Sequence, residues 1–332
     1  VLDENGEGSD SAVIAAIGEA IQLRDQYNIR VINLSVGRPV FESYKTDPLC
    51  QAVEAAWQAG IVVVVAAGND GRTNIANNNG YGTISSPGND PYVITVGAMK
   101  SMGTLDRLDD LIASYSSKGP TQIDHIVKPD ILAPGNQVVS LRSPDGVLPL
   151  LYPQNGVPLT YYEWTKEDQI SNSYFTLSGT SMAAPVVSGA VALLLQAHPE
   201  LTPDQVKARL MRTAYKKFPT VSTAIDLLTG QSFTSEYDLF TVGAGYLDIG
   251  AALADNTRFW GSAHSPRAVR THLGSGLLGG ASIVCDSASI CGRTWYLTST
   301  LQSIWGDQSI WGDQSIWGDQ SIWGDQSIWG DQ

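Results

Sequence analysis

A doubly wound α/β domain with a mainly parallel sheet flanked by helices is the fold that this sequence predicts, on three observations. The apolar run IVVVVAA at 61–67 shows no alternation, as expected of a strand covered on both faces. Helix-like and strand-like segments alternate through the first hundred residues with short connections, the order that builds parallel sheets. A segment at 181–197, apolar on nearly every side, predicts a helix lying within the domain rather than on its surface.

The elements follow in order. SAVIAAIGEAIQLRDQY, 11–27, places Val13, Ile14, Ile17 and Ile21 on one helical face, with Ser9 or Asp10 as N-cap. IRVINLSVG is a short aliphatic strand ending in small residues. In the next helix Asp47 caps, Pro48 takes the first position and Gly60 terminates. YVITVGAM, 92–99, is a further strand. The stretch 135–176, with Pro144, Pro149, Pro153 and Pro158, is expected to be a long loop-rich excursion. Thr202 and Gln205 form a capping box with Pro203 at the first helical position, and GAGYLDIGAAL at 243–253 supplies a turn, a short strand and a closing helix.

Beyond the domain, expected to span 1–255, residues 256–302 are expected to be a linker or weakly ordered region. Residues 303–332 are five perfect copies of SIWGDQ, too short a period for propeller blades and too few copies for a solenoid to bury a core. The expectation is a flexible or adhesive tail that associates with itself or with a surface.

Composition narrows the function. The 332 residues carry 33 acidic and 20 basic side chains, a net charge of −13, which argues against nucleic acid as a partner. The longest apolar runs fall short of the roughly 20 residues that cross a bilayer. The chain opens on VLDENGEGSD without an initiator methionine or a signal region, so it is expected to be a fragment. Cys285 and Cys291 could close a small local bridge; three unpaired thiols, counting Cys50, is the equal alternative.

Three segments could carry chemistry. Ser181, behind Gly179 and Thr180, sits where a helix begins, so its backbone N–H points with the helix dipole at whatever binds there. The plainer account is an N-cap with small residues for close packing. Asn69 lies just past the carboxyl end of a buried strand, where ligands gather in open α/β sheets; Gly68-Asn69-Asp70-Gly71 is also ordinary turn composition. Ser35-Val36-Gly37 offers a small-residue strand edge against which an extended peptide could pair.

Together VINLSVG (31–37), GIVVVVAAGNDG (60–71), KPDILAPG (128–135), SGTSMAAPVVSGAVALLL (178–195) and GAGYLDIGAAL (243–253) resemble, in order, the subtilisin-like serine proteases, the subtilases. The resemblance covers about residues 1–254. It implies that Ser181 is a nucleophile, that Asn69 and the Ser181 N–H form an oxyanion hole, and that Ser35, Val36 and Gly37 align substrate backbone. Ala66, Ala67 and Gly68 would line the primary specificity pocket. It also implies an exported enzyme acting on proteins or peptides. No cofactor is required; calcium is a possibility in this family, and Asp130 is the one acidic residue in a family block to consider, with no ligand set visible.

The departures are the family's Asp-Thr/Ser-Gly and His-Gly-Thr-His motifs, neither of which occurs here. His125, His198, His264 and His272 all lie in other contexts. The chain alone is therefore expected to be inactive, its histidine and aspartate belonging to a preceding part of the parent. Two other readings stay open: an α/β-hydrolase using GTSMA as its elbow with His264 or His272 as base, and a non-catalytic pseudoprotease or surface-interaction protein.

Overall fold

The computed structural model describes residues 1–3, 7–74, 78–143, 146–164, 169–272 and 279–284. Helix α1, Asp10–Gln22, is capped by Ser9, whose side chain accepts from the Ala12 amide, and it buries Val13 and Ile17. The expected continuation to Tyr27 is interrupted: the helix ends at Leu23, and a separate turn follows that Asn28 closes in the left-handed conformation. Strand β1 is Val31–Leu34. Helix α2, Pro48–Gln58, begins as the sequence predicts, with the Asp47 carboxylate accepting from the Leu49 amide. Strand β2, Val62–Ala66, is buried along its whole length.

Strands β3 (Ile94–Lys100), β4 (Leu111–Ile112) and β5 (Ile131–Pro134) complete the main sheet. β1, β2, β3 and β5 run parallel, with Val31 opposite Val62, Val64 opposite Ile94 and Val96 opposite Ile131. Met99 pairs with both Ile112 and Pro134, so β4 and β5 flank opposite edges of β3, and β4 takes over antiparallel where β2 has ended. Aliphatic side chains from these strands and the helices around them form one contiguous core.

Helix α3, Thr180–Ala197, lies across β1, β2, β3 and β5 and buries Ala183, Ala184, Val187, Ala190, Val191, Leu194 and Leu195. The expectation of a helix enclosed on nearly every side is corrected here: Pro185, Gly189, Ala192 and Leu193 are exposed on its other face. Among the described residues α3 alone is long and apolar enough to cross a membrane, but its packing is that of a core helix. Helix α4, Pro203–Thr213, has the predicted capping box, and α5 is Ile249–Ala254.

The excursion holds more order than expected. It folds into a three-stranded antiparallel sheet of β6 (Val138–Leu141), β7 (Gly156–Pro158) and β8 (Ile170–Leu177), in the order β6-β8-β7. Pro149 and Pro153 fall in the connections and Pro158 at the end of β7, where proline is tolerated. A hairpin of β9 (Val221–Ile225) and β10 (Ser232–Glu236) follows α4.

Residues 263–268 lie in the segment expected to be a linker, yet they dock on the domain. Ala263, Ser265 and Ala268 are buried, and the chain bonds to it through Ser265 N to Pro91 O and Val127 N to Pro266 O. Strand β11, Arg267–His272, then pairs with β12, Gly279–Val284. Cys285, Cys291 and the SIWGDQ repeats lie outside the described residues.

Candidate active site

The carboxyl ends of β1, β2 and β5 meet the amino end of α3. Gly135, just past β5, accepts at its carbonyl from the Gly179 amide (2.8 Å) and the Tyr115 hydroxyl (2.9 Å). A side chain at 135 would collide with Ala98 Cβ and the Gly179 carbonyl, so glycine lets the sheet approach the helix start this closely. Gly179 has a φ of 153°, which side-chain-bearing residues rarely adopt, and it delivers the chain into α3 without a side-chain cap.

Thr180 ties the site to the loop after β2. Its amide and its hydroxyl both donate to Asn69 Oδ1, at 2.9 and 3.1 Å, while the hydroxyl accepts from the Gly68 amide at 3.1 Å. The amide oxygen of Asn69 is thereby committed, and its Nδ2 has no partner among the described residues. The Ser181 N–H is likewise unpartnered among them, as the first amides of a helix are. Both donors belong to the amino end of α3, the positive end of its dipole: the Ser181 N–H is in its first turn, and Asn69 is bonded to Thr180, the residue before Ser181.

Ser181 and Ser35 are bonded reciprocally. Ser35 Oγ donates to the Ser181 carbonyl (2.8 Å), and Ser181 Oγ donates to the Ser35 carbonyl (3.3 Å). The Ser181 carbonyl is free to accept because its helical donor would be residue 185, a proline with no N–H. Asn33 holds Ser35 in place: its Nδ2 donates to Ser35 Oγ (2.9 Å), and its Oδ1 accepts from Ser188 Oγ on α3 (2.8 Å).

Val36 and Gly37 continue the edge as half-buried residues outside any strand. Behind them Arg38 is buried and clamps the segment, its guanidinium bonded to Asp10 (2.6 Å) and Asp47 (2.8 Å), with paired backbone bonds to Ser86. Ala66 and Ala67 are buried at the end of β2, and Gly68 follows with a φ of 106°. Ser85 Oγ sits between two glycines: a Cβ on Gly37 would lie 2.8 Å from it and one on Gly68 3.0 Å, with Ser117 Oγ at 2.8 Å from the latter. The sequence-predicted residues therefore converge. Sequence reasoning missed Thr180, Asn33, Ser85 and Ser117, and only Thr180, adjacent to the serine, carried a signal that could have shown it.

The histidines fall elsewhere. His198 ends α3, which at 18 residues puts it roughly 27 Å from Ser181. His264 packs against Tyr92, just before β3, with ring centroids 3.9 Å apart and the planes tilted by 59°, and His125 precedes β5. Both are at the amino ends of the parallel strands, across the sheet from Ser181. His125 is buried, and burial with the neighbouring Arg267 pushes its pKa down to about 4. The side chain of His272 lies outside what is described.

Asp130, considered for calcium, is engaged otherwise. It is fully buried, bonded to Lys128 (2.7 Å), Lys207 (3.2 Å), the Thr95 amide (2.8 Å) and the Ser265 hydroxyl. Burial alone would raise its pKa, but the two lysines outweigh it and hold the carboxyl below its usual range. Among the described residues no group of three or more His, Cys, Asp or Glu side chains could hold a metal.

A parallel sheet with a Gly-Thr-Ser turn at the start of its core helix, and small-residue loops at the strand ends, defines a subtilisin-like α/β protein. The chain belongs to the subtilase family, the peptidase S8 serine proteases, whose model matches residues 1–245. It is 41% identical over 215 residues to the serine protease AprX of Bacillus subtilis (strain 168), an overlap of 63% of this chain and 44% of AprX. It is 36% identical over 214 residues to subtilisin DY of Bacillus licheniformis, covering 64% of this chain and 58% of that protein. An extracellular serine proteinase of Thermus sp. (strain Rt41A) is 35% identical over 211 residues, covering 64% of this chain and 38% of its own length. The matched part of the chain thus spans between 38% and 58% of the length of these relatives.

Proposed function

We propose that this chain is the nucleophile-bearing part of an exported serine endopeptidase. The observation that carries the reading is the pair of donors unpartnered among the described residues, Asn69 Nδ2 and the Ser181 N–H, with Asn69 held through Thr180 at the start of the helix that bears Ser181. In this reading Ser181 Oγ bonds to the carbonyl carbon of a peptide, and its proton passes to a base. The carbonyl oxygen, now an anion, rests on those two donors, and collapse expels the amine to leave an acyl-enzyme that water hydrolyses. Ser35, Val36 and Gly37 offer the substrate backbone an edge, while Ala66, Ala67 and Gly68, with Ser85 and Ser117, shape a pocket for the side chain preceding the cleaved bond.

The base and its orienting carboxylate are assigned to polypeptide outside these 332 residues. The family's His and Asp motifs are missing from the sequence, and His125, His198 and His264 are placed too far away to serve. Without that base Ser181 stays a neutral, unactivated hydroxyl in this reading, and the chain alone is expected to turn over no peptide. Side chains carry all of the proposed chemistry without a cofactor, and proteins or peptides are the substrates. Export is supported by the extracellular relative.

The test is to express the coding sequence preceding Val1 in one polypeptide with this chain. Peptide hydrolysis is expected, and Asn69→Ala should lower kcat by about 10²–10³-fold, the cost known for losing such a donor in subtilisin, with KM little changed. An unchanged kcat would overturn the assignment of Asn69.

A further inference from the structure

The catalytic reading leaves the exposed side of the excursion sheet and the SIWGDQ repeats without a role. Strand pairing puts Val139 opposite Thr176 and Leu141 opposite Tyr174, so these four side chains share one face, while Phe175 turns to the other and is buried. On the first face Val139 is 53%, Leu141 80% and Tyr174 37% exposed. Tyr162 adds a ring at 5.2 Å from that of Tyr174, edge to face. A contiguous aliphatic and aromatic surface of this kind on a small sheet marks a binding face.

We propose that the SIWGDQ repeats of the same chain dock on this face. Each repeat presents an adjacent Ile and Trp, an apolar anchor pair, among Ser, Gly, Asp and Gln that keep the rest of the segment hydrated. The tether is long enough. The chain leaves the described fold at Val284, opposite Arg267, which bridges to Ile126 ahead of β5. From Val284 to the first repeat at Ser303 an extended chain reaches roughly 60 Å, against at most about 40 Å for the twelve residues from Ile126 through β5 to Val138 at the start of the excursion sheet. Tethering raises the local concentration of repeats to the millimolar range, and five identical copies multiply the ways in which one can seat.

The repeats hold five of the nine tryptophans, so iodide quenching of tryptophan fluorescence in the full chain reports on them directly. Wild-type protein should show protected tryptophans. The variant Val139→Ser/Leu141→Ser/Tyr174→Ser should lose that protection while keeping its circular dichroism spectrum, since all three side chains are solvent-facing. Leu227→Ser/Leu228→Ser removes two equally exposed leucines from the β9–β10 turn and should leave protection intact. Equal quenching in wild type and triple variant overturns the proposal. So does equal loss in the leucine control, or protection that disappears on dilution, which would mean that copies of the chain bind one another.

Discussion

Asn69 accepts two hydrogen bonds from a single residue, Thr180, through amide and hydroxyl at 2.9 and 3.1 Å. The same hydroxyl accepts from the Gly68 amide, so one threonine fixes both the loop that presents Asn69 and the direction of its amide. Thr180→Val deletes that bridge and leaves the half-buried Gly68 amide without its partner, at a cost of about 0.5–1.5 kcal/mol in urea unfolding. Thr180→Ser keeps the hydroxyl and should lie close to wild type. A loss in Thr180→Ser with Thr180→Val near wild type would show that the methyl, not the hydroxyl, matters.

Ser35 and Pro185 should be energetically coupled. Ser35 Oγ donates to the Ser181 carbonyl that Pro185 cannot reach, so Ser35→Ala should cost about 0.5–1.5 kcal/mol. In a Pro185→Ala background the helix regains its own donor to that carbonyl, and the same Ser35→Ala change should cost less. A double-mutant cycle with no coupling energy would contradict this.

Lys207 is a buried cation in a cage of acceptors: the Pro91, Tyr92 and Val93 carbonyls, Ser265 Oγ and Asp130. Burial pushes its pKa down to about 7 against the pull of Asp130. Lys207→Met strips a donor from three carbonyls and halves the cations facing Asp130, and should cost roughly 3–5 kcal/mol in denaturant unfolding. It should also release the 263–268 segment, seen as faster amide exchange at Ser265 and Ala268. Retained protection there would place the anchor elsewhere.

His125 makes the fold acid-sensitive. Its pKa is about 4 in the folded chain against 6.5 for an unperturbed imidazole, so between those values the unfolded chain binds the proton and the folded chain does not. Stability contributed by the neutral imidazole is present above pH 6.5 and declines as pH falls toward 4. His125→Gln should flatten the thermal midpoint across that window. An unaltered slope would assign the acid sensitivity to other groups.

Much of the architecture is legible because its signals are local. Asp47-Pro48, Thr202 with Gln205, and the unbroken valines of β2 each state a cap or a doubly covered strand within a few residues. The excursion sheet is not legible, because β6 and β8 pair across a long proline-bearing connection, and only Ser171 and Phe175 of β8 are buried. The open face of α3 escapes for a related reason: Pro185, Gly189 and Ala192 are as apolar as the side that packs. In the site, Ser181, Asn69 and Ser35 stand in blocks whose order marks them. Ser85 and Ser117 enter only through the clearance that Gly37 and Gly68 provide, which no spacing in the sequence expresses.

The central proposal is that Ser181 is a nucleophile served by the Asn69 amide and its own N–H, with its base outside this chain. Treating the 332-residue protein with a fluorophosphonate and mapping the adduct by mass spectrometry tests it most directly. Ser181 should be modified no faster than Ser188, a hydroxyl on the same helix with no such site. Modification of Ser181 at the rate of an intact serine protease would contradict the account, because the chain would then hold its own base.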